Sequence, residues 1–101
     1  MPLVTIKPGK DLKIKFPVPK RRVITYEVEA ERPVSTFVLD EDGLREYSDK
    51  RAEDVTSYYG GFPRRYEHRQ ELRLPFTGFW YLVIDNLDDK NPVAVHYEVN
   101  G

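Results

Sequence analysis

Alternation of apolar and polar side chains runs through the last third of this chain and constrains its fold more than any other feature. Leu72, Leu74 and Phe76 are spaced two apart, and so are the apolar side chains of the stretch 93–99. Successive side chains of a β-strand point to opposite faces, so this spacing places one set in a core and the other in water. Between these stretches, the segment 79–85 is apolar on both faces, which is typical of a central strand or of one whose second face is covered.

The same alternation recurs earlier in the chain, at 12–16, 23–30 and 34–39. Prolines and a basic turn separate these segments, and proline cannot donate to a strand ladder. The Asp-Glu-Asp-Gly sequence at 40–43 predicts a hairpin turn, because Asp-Gly supplies the positive φ angles of a tight turn. The stretch 44–56 is the least regular part and is compatible with one short helical turn.

The extended segments together indicate the fold class. They number about eight at a spacing of roughly ten residues, which is typical of an antiparallel sandwich or barrel. Long amphipathic helices do not alternate with them, so a parallel α/β sheet is not expected. A length of 101 residues suits one domain. We therefore predict an all-β fold, a single antiparallel β-sandwich domain spanning residues 1–101, jelly-roll-like, with about eight strands and little helix.

Composition excludes several function classes. The sixteen basic and seventeen acidic residues nearly cancel, which disfavours broad electrostatic binding of nucleic acid or anionic lipid. Without cysteine there is no disulfide framework, thiolate zinc site or cysteine nucleophile. The N-terminal residues lack the apolar region of a signal peptide, and no apolar run has membrane-spanning length. We therefore expect no membrane association and a cytoplasmic location.

No motif predicts catalysis or a bound cofactor. The two histidines, His68 and His96, lie in a charged run and on a polar strand face, so both are expected to be exposed, and a zinc site needs three or four ligands. The carboxylates at 40–42 have no nearby histidine to orient them for acid–base catalysis. Oxygen ligands are dense in the loop 85–91, which is compatible with a calcium site or with a solvated turn. We expect no enzyme, no metal centre and no cofactor, and the role of that loop stays open.

Aromatic and basic side chains interleave in the loop 58–66, which also contains a Gly-Gly pair. The candidate binding residues in this loop are Tyr58, Tyr59, Phe62, Arg64, Arg65 and Tyr66. Aromatic platforms with basic neighbours are used to bind protein partners, single-stranded nucleic acid, phosphorylated ligands and sugars. The alternative is structural: the tyrosines cap the core while the arginines pair with carboxylates such as Glu67 and Glu71.

The residues 37–99 resemble two small β-sandwich families. The Leu-Arg-Leu-Pro at 72–75, the aromatic strand 78–86 that ends in Asp-Asn, and the alternating strand 93–99 resemble the last strands of GOLD-type sandwiches. The Tyr-Gly-Gly and Pro-Phe-Thr-Gly-Phe-Trp sequences resemble a bacterial family of unknown function, a compact sandwich sometimes found beside TIR signalling domains. From its N-terminal residues and hydropathy we expect the chain to lack the secretory signal and membrane anchor of trafficking GOLD proteins. Both resemblances imply a sandwich fold and an interaction module rather than an enzyme.

The leading functional prediction is a small, soluble, non-enzymatic module that binds a protein or peptide partner through a sheet face or the loop 58–66. The alternative is a domain that binds a small ligand, a carbohydrate or nucleotide, through the same aromatic and basic loop. A concave pocket would favour the small ligand, and a flat or convex surface would favour a protein. The sequence leaves the oligomeric state and the identity of the partner undetermined.

Overall fold

Six antiparallel strands and one short helix form the described part of the protein. The structure, a computed structural model, describes residues 3–49, 59–61 and 63–101. The elements are β1 (Leu3–Ile6), β2 (Asp11–Val18), β3 (Val23–Leu39), α1 (Glu41–Asp49), β4 (Arg65–Arg73), β5 (Gly78–Asp85) and β6 (Val93–Asn100). The predicted all-β antiparallel class with little helix is confirmed.

β3 organises the sheet because it pairs with three other strands. The strand order is β1-β6-β3-β5-β2, and β4 also pairs with β3. A straight strand of its 17 residues would be about 55 Å long, which exceeds the longest dimension of the molecule, 40 Å. β3 therefore bends, and its register with β4 shifts between Glu29 and Val34. The bend curls the sheet into a half-barrel.

Within the described residues the strands are fewer than predicted, in part because two expected strands are one. The segments 23–30 and 34–39 form a continuous strand that passes through Arg32 and Pro33. Pro33 falls where the ladder with β4 is interrupted, and a bulge tolerates a residue that cannot donate a hydrogen bond. The result is one curled sheet around its own core, not clearly two packed layers.

The core lies on the inner face of the curled sheet. Its buried side chains include Ile24, Val28, Leu74, Trp80, Leu82, Ile84, Val93 and Val95. β5 lies between β2 and β3, and its other face is also covered, because Val83 packs with Leu39 and Tyr47 in a second cluster. Both alternatives predicted for 79–85 are therefore observed in part: β5 is an inner strand of the sheet, and its second face is covered at Val83 but exposed at Phe79.

The helix α1 supplies that second cover. Leu44 and Tyr47, three residues apart on one helix face, both pack against the second cluster. Asp40 caps the helix: its Oδ1 accepts a hydrogen bond from Gly43 N at 2.7 Å, and its carbonyl oxygen accepts one from Leu44 N at 2.9 Å. The predicted hairpin turn at 40–43 is therefore wrong, since the Asp acts as a helix cap. No helix within the described ranges is long and apolar enough to cross a membrane.

Candidate functional site

Tyr59 is held against the sheet rather than on a free loop. Its backbone N donates to the carbonyl oxygen of Val38 at 2.8 Å, and Val38 N donates to the carbonyl oxygen of Gly60 at 2.8 Å. Its ring meets Trp80 edge-on, with ring centroids 4.8 Å apart, yet 45% of the residue stays exposed. The hydroxyl lies 3.4 Å from Asp40 Oδ2, and the negative charge of that carboxylate is the main reason why the pKa of Tyr59 is raised.

The two glycines after Tyr59 let the backbone run close to β3 and β4. A Cβ on Gly60 would collide with the side chain of Leu72, and a Cβ on Gly61 would collide with the carbonyl oxygen of Thr36. Gly61 also has a φ of 124°, a conformation that other residues rarely adopt. The Gly-Gly pair predicted as an outer loop is therefore half-buried along the sheet.

A buried histidine lies beneath this segment. His68, predicted to be exposed, is only 1% exposed. Its Nε2 lies 2.9 Å from the carbonyl oxygen of Val34 and 3.0 Å from that of Arg65, so Nε2 carries the proton and donates. Nδ1 then accepts from Thr36 Oγ1 at 3.1 Å. Burial is the main cause that lowers the pKa of His68, and the ring is neutral.

The same buried network reaches the glycines. The hydroxyl of Tyr26 lies 3.1 Å from Thr36 Oγ1 and donates to Gln70 Oε1 at 3.1 Å. Gln70 Oε1 also accepts a hydrogen bond from Gly61 N at 3.0 Å. Burial raises the pKa of Tyr26, which keeps its proton. A chain of hydrogen bonds therefore ties the backbone after Tyr59 to the interior of the sheet.

Two exposed aromatic residues, Tyr59 and Phe76, pack on buried Trp80. A third, Phe79, lines a groove with Phe76, and we name the three the aromatic ridge. Phe76 contacts Trp80 with ring centroids 4.8 Å apart, and Trp80 Nε1 donates to the carbonyl oxygen of Phe76 at 3.2 Å. Phe76 is 47% exposed and Phe79 is 59% exposed, whereas Trp80 is fully buried. Lys15 Nζ lies 4.4 Å from the centroid of the Phe79 ring. The ridge is thus an apolar surface held on a rigid base.

Charge of opposite sign flanks the aromatic ridge. On one side, Arg22 and Arg73 line a shallow groove that includes Tyr59, and Arg22 Nη1 donates to the carbonyl oxygen of Pro75 at 2.8 Å. On the other side, three carboxylates line a groove with both phenylalanines of the ridge. The carboxylates are those of Asp40, Glu41 and Asp42. The ridge therefore borders one groove with basic side chains and another with acidic side chains.

The remaining described candidates lie elsewhere. Arg64 and Tyr66 line a groove of about 290 Å³ that shares no described lining residue with either groove at the ridge. Arg65 is exposed and precedes Tyr66 in β4, so the two side chains point to opposite faces of that strand. Tyr58 and Phe62 lie outside the described residues. The structure therefore splits the predicted site between two surfaces.

Three functional candidates, Phe76, Phe79 and Arg32, were not identified in the sequence analysis. Phe76 follows the inward alternation of Leu72 and Leu74, but it lies beyond the end of β4 and is half exposed, and Phe79 was assigned to a covered strand but is exposed. Arg32 lines the groove of Arg64 and Tyr66 although it is distant from them in sequence. No local pattern signals that contact, because the bend of β3 produces it.

The oxygen-rich loop 85–91 uses its polar groups internally. Asn86 is 2% exposed, and its Nδ2 donates to the carbonyl oxygens of Ile6 and Lys7, both at 3.2 Å, and of Asn91 at 3.0 Å. Asp88 Oδ1 accepts from the backbone N of Lys90 at 2.8 Å and of Asn91 at 3.1 Å. The hydrogen bond from Lys90 is the largest cause that lowers the pKa of Asp88. These contacts favour the interpretation of this loop as a turn rather than as a calcium site.

Comparisons with known proteins do not assign the chain to a family: no protein-family model and no curated protein matches it. The site is therefore interpreted from its own geometry. Among the residues that the structure describes, no group of three or more histidine, aspartate or glutamate side chains is placed to hold a metal ion.

Proposed function

We propose that this protein is a small, non-enzymatic interaction module that binds a protein or peptide partner through the aromatic ridge. The observation that carries the proposal is that Tyr59 and Phe76 remain about half exposed while both pack on fully buried Trp80. Contiguous exposed apolar patches on soluble proteins commonly mark interaction sites, and aromatic residues are frequent anchors of binding energy.

Preorganisation supports the same proposal. The backbone at Tyr59 pairs with Val38, and the backbone N of Gly61, two residues further on, donates to Gln70 Oε1. Side chains and loops that are already ordered lose less conformational entropy when a partner binds. The ridge can therefore contribute its apolar area to affinity with a small ordering cost.

The charges beside the ridge support a partner with an uneven charge distribution. A peptide that crosses the ridge would meet Arg22 and Arg73 on one side and the carboxylates of Asp40 and Glu41 on the other. Complementary charges at an interface fix orientation and raise association rates more than they raise affinity. We propose that they set the direction in which a peptide lies.

We also propose that the half-barrel is a GOLD-like, jelly-roll-related sandwich domain that acts in the cytoplasm. The stretches that carry the resemblance correspond to the end of β4, to β5 with the following Asp85 and Asn86, and to β6. The Tyr-Gly-Gly sequence pairs with β3 beside the Trp of β5. Their arrangement supports a common architecture of the C-terminal part.

The test is a selection of phage-displayed random peptides on the purified protein. We expect enriched peptides to contain apolar side chains and to lose at least about tenfold in affinity when Tyr59→Ser or Phe76→Ser is introduced. Tyr66→Ser is the matched control, because Tyr66 is similarly exposed in a different groove. Thermal melting confirms that each variant is folded. Peptides that bind both ridge variants as tightly as the unsubstituted protein would disprove a role for the ridge.

A second candidate function is the binding of a small ligand, and the groove of Arg64 and Tyr66 favours it. This groove combines guanidinium groups with an aromatic ring and with the apolar side chains of Pro33 and Leu87. Small-ligand sites typically combine apolar walls with a few polar groups in this way. We propose this activity for the groove and not for the aromatic ridge.

A further inference from the structure

Three separate parts of the chain converge on the groove of about 290 Å³ beside Tyr66. The bend of β3 contributes Arg32 and Pro33, the start of β4 contributes Tyr66, and the loop before β6 contributes Leu87 and Asp88. The sixth lining residue is Arg64. We name this surface the Arg32–Tyr66 groove.

Each wall of the groove is fixed by contacts to the body of the protein. The backbone N of Arg64 donates to Ser35 Oγ at 3.1 Å, and Ser35 is buried. The loop that carries Asp88 is tied to the end of β1 by the buried side chain of Asn86. Walls that are already in place lower the entropic cost of binding a ligand.

The electrostatics of the groove favour an anion. Arg32 Nη1 lies 3.9 Å from Asp88 Oδ2, which is longer than the roughly 2.7–2.9 Å of a charge-assisted hydrogen bond. Both oxygens of Asp88 already accept hydrogen bonds within their own turn. The guanidinium of Arg32 therefore keeps donors that can bind a ligand, and Arg64 adds a second guanidinium to the same groove.

The charge balance favours a single phosphate group. A phosphate monoester carries a charge of about −1.5 to −2 at neutral pH, and two guanidinium groups against the one carboxylate of Asp88 give the groove a net positive charge. Planar guanidinium groups bind phosphate oxygens in pairs. A chain of several phosphates would bring negative charge close to the carboxylate of Asp88.

Apolar surface in the groove suits a planar ring. Tyr66 is 58% exposed and lies on the same face of β4 as His68, two residues along the strand. Pro33 and Leu87 line the groove with it. Stacking of a nucleobase on an aromatic side chain is a common contribution to nucleotide binding.

We propose that the Arg32–Tyr66 groove binds a nucleoside monophosphate, with the phosphate on Arg32 and Arg64 and the base against Tyr66. This inference rests on the second candidate function, small-ligand binding, and specifies its ligand. It is independent of the aromatic ridge, which lies on a surface with no lining residue in common among those described.

The test is a titration of the full chain with adenosine monophosphate, followed by calorimetry and by amide chemical shifts. Ribose 5-phosphate, adenosine and adenosine triphosphate are the comparison ligands. We expect the monophosphate to bind at least about tenfold more tightly than ribose 5-phosphate or adenosine, because each of these lacks one of the two contacts. We also expect the triphosphate to bind more weakly than the monophosphate, and added salt to weaken binding.

Variants locate the binding. Arg64→Gln and Tyr66→Ser should each weaken monophosphate binding at least about tenfold, while Tyr66→Phe should keep most of it. Arg73→Gln and Tyr59→Ser, which belong to the other surface, should leave binding unchanged. Equal binding of ribose 5-phosphate and the monophosphate would overturn the nucleotide proposal but leave small-ligand binding in place. Absence of saturable binding of any of these ligands up to about 10 mM would overturn both.

Discussion

The two ends of the segment 59–66 share an aromatic and basic composition but not an environment. At one end, Tyr59 packs on Trp80 and the adjacent glycine backbone lies along β3. At the other end, Arg64 and Tyr66 are exposed beside an open groove. Composition alone does not distinguish these cases. What distinguishes them is where each ring packs: the Tyr59 ring lies against buried Trp80, whereas the Tyr66 ring lines a groove although Tyr66 belongs to a paired strand.

The largest expected effect tests how firmly the first end is anchored. Gly61→Ala should lower the free energy of unfolding by at least about 3 kcal/mol, because it combines backbone strain with a steric clash. The strain comes from a φ of 124°, and the clash is with the carbonyl oxygen of Thr36. Urea denaturation measures the difference.

Gly78→Ala is the matched control for that clash. Gly78 has a similar φ of 115°, but a Cβ there would meet nothing within 4 Å. We expect Gly78→Ala to lower the free energy of unfolding by about 1–2 kcal/mol, from backbone strain alone. Equal losses for the two substitutions would show that close packing against β3 adds nothing, and the contrast between the two ends would lose its main support.

A smaller effect is expected from the buried polar network under the first end. Thr36→Val keeps the shape of the side chain but removes the hydroxyl that bonds Tyr26 and His68. The free energy of unfolding should fall by about 2 kcal/mol, the usual cost when buried polar groups lose a partner. Thr25→Val, at an exposed position of β3, should change it by less than about 0.5 kcal/mol. If Thr36→Val were equally harmless, the network would not anchor the glycines.

The sequence predicts best where one local pattern decides the outcome. The strand 79–85 is apolar on both faces, and it lies inside the sheet with its second face covered at Val83, although Phe79 at its start is exposed. The Asp at position 40 did not allow a turn to be distinguished from a helix start, because aspartate is common at the beginning of both. His68 was wrongly predicted to be exposed because it lies in a charged run. The charged side chains of β4 occupy the outward positions of the strand, and His68 occupies one of the alternate positions that face inward.

Part of the candidate site was likewise predictable from local sequence, and part was not. Tyr59 was predicted from its own segment and is present on an exposed surface. Its neighbours Phe76 and Trp80 come from another part of the chain. Tyr59 and Tyr66 lie on different surfaces because β3 bends. Long-range pairing and curvature have no local sequence signal, so the composition of each surface needed the structure.

A direct comparison of the two ends comes from two tyrosine substitutions. Tyr59→Ala removes an edge-to-face contact with Trp80 and should lower Tm by roughly 5 °C. Tyr66→Ala removes a ring that is more exposed, at 58%, and should change Tm by less than about 2 °C. Differential scanning calorimetry measures both values. A larger loss for Tyr66→Ala would reverse the assignment of the structural end and the open end.

The smallest expected effect is a pH dependence that comes from the buried histidine of the polar network, His68. Burial, with a contribution from the positive charge of Arg65, lowers the pKa of His68 below its ordinary value of 6.5. Below that pH the unfolded chain binds more protons at this position than the folded chain. The free energy of unfolding should therefore fall as the pH decreases from 6.5 toward the lowered folded pKa, by at most about 1.4 kcal/mol per pH unit.

Urea denaturation between about pH 7.5 and 5.5 measures this slope above the range in which most carboxylates titrate. His68→Gln should remove much of it, because glutamine carries no titrating proton. His96→Gln is the matched control, since His96 is the other histidine of the chain and is exposed on β6. If His96→Gln removed the slope and His68→Gln kept it, the proton would bind at the surface.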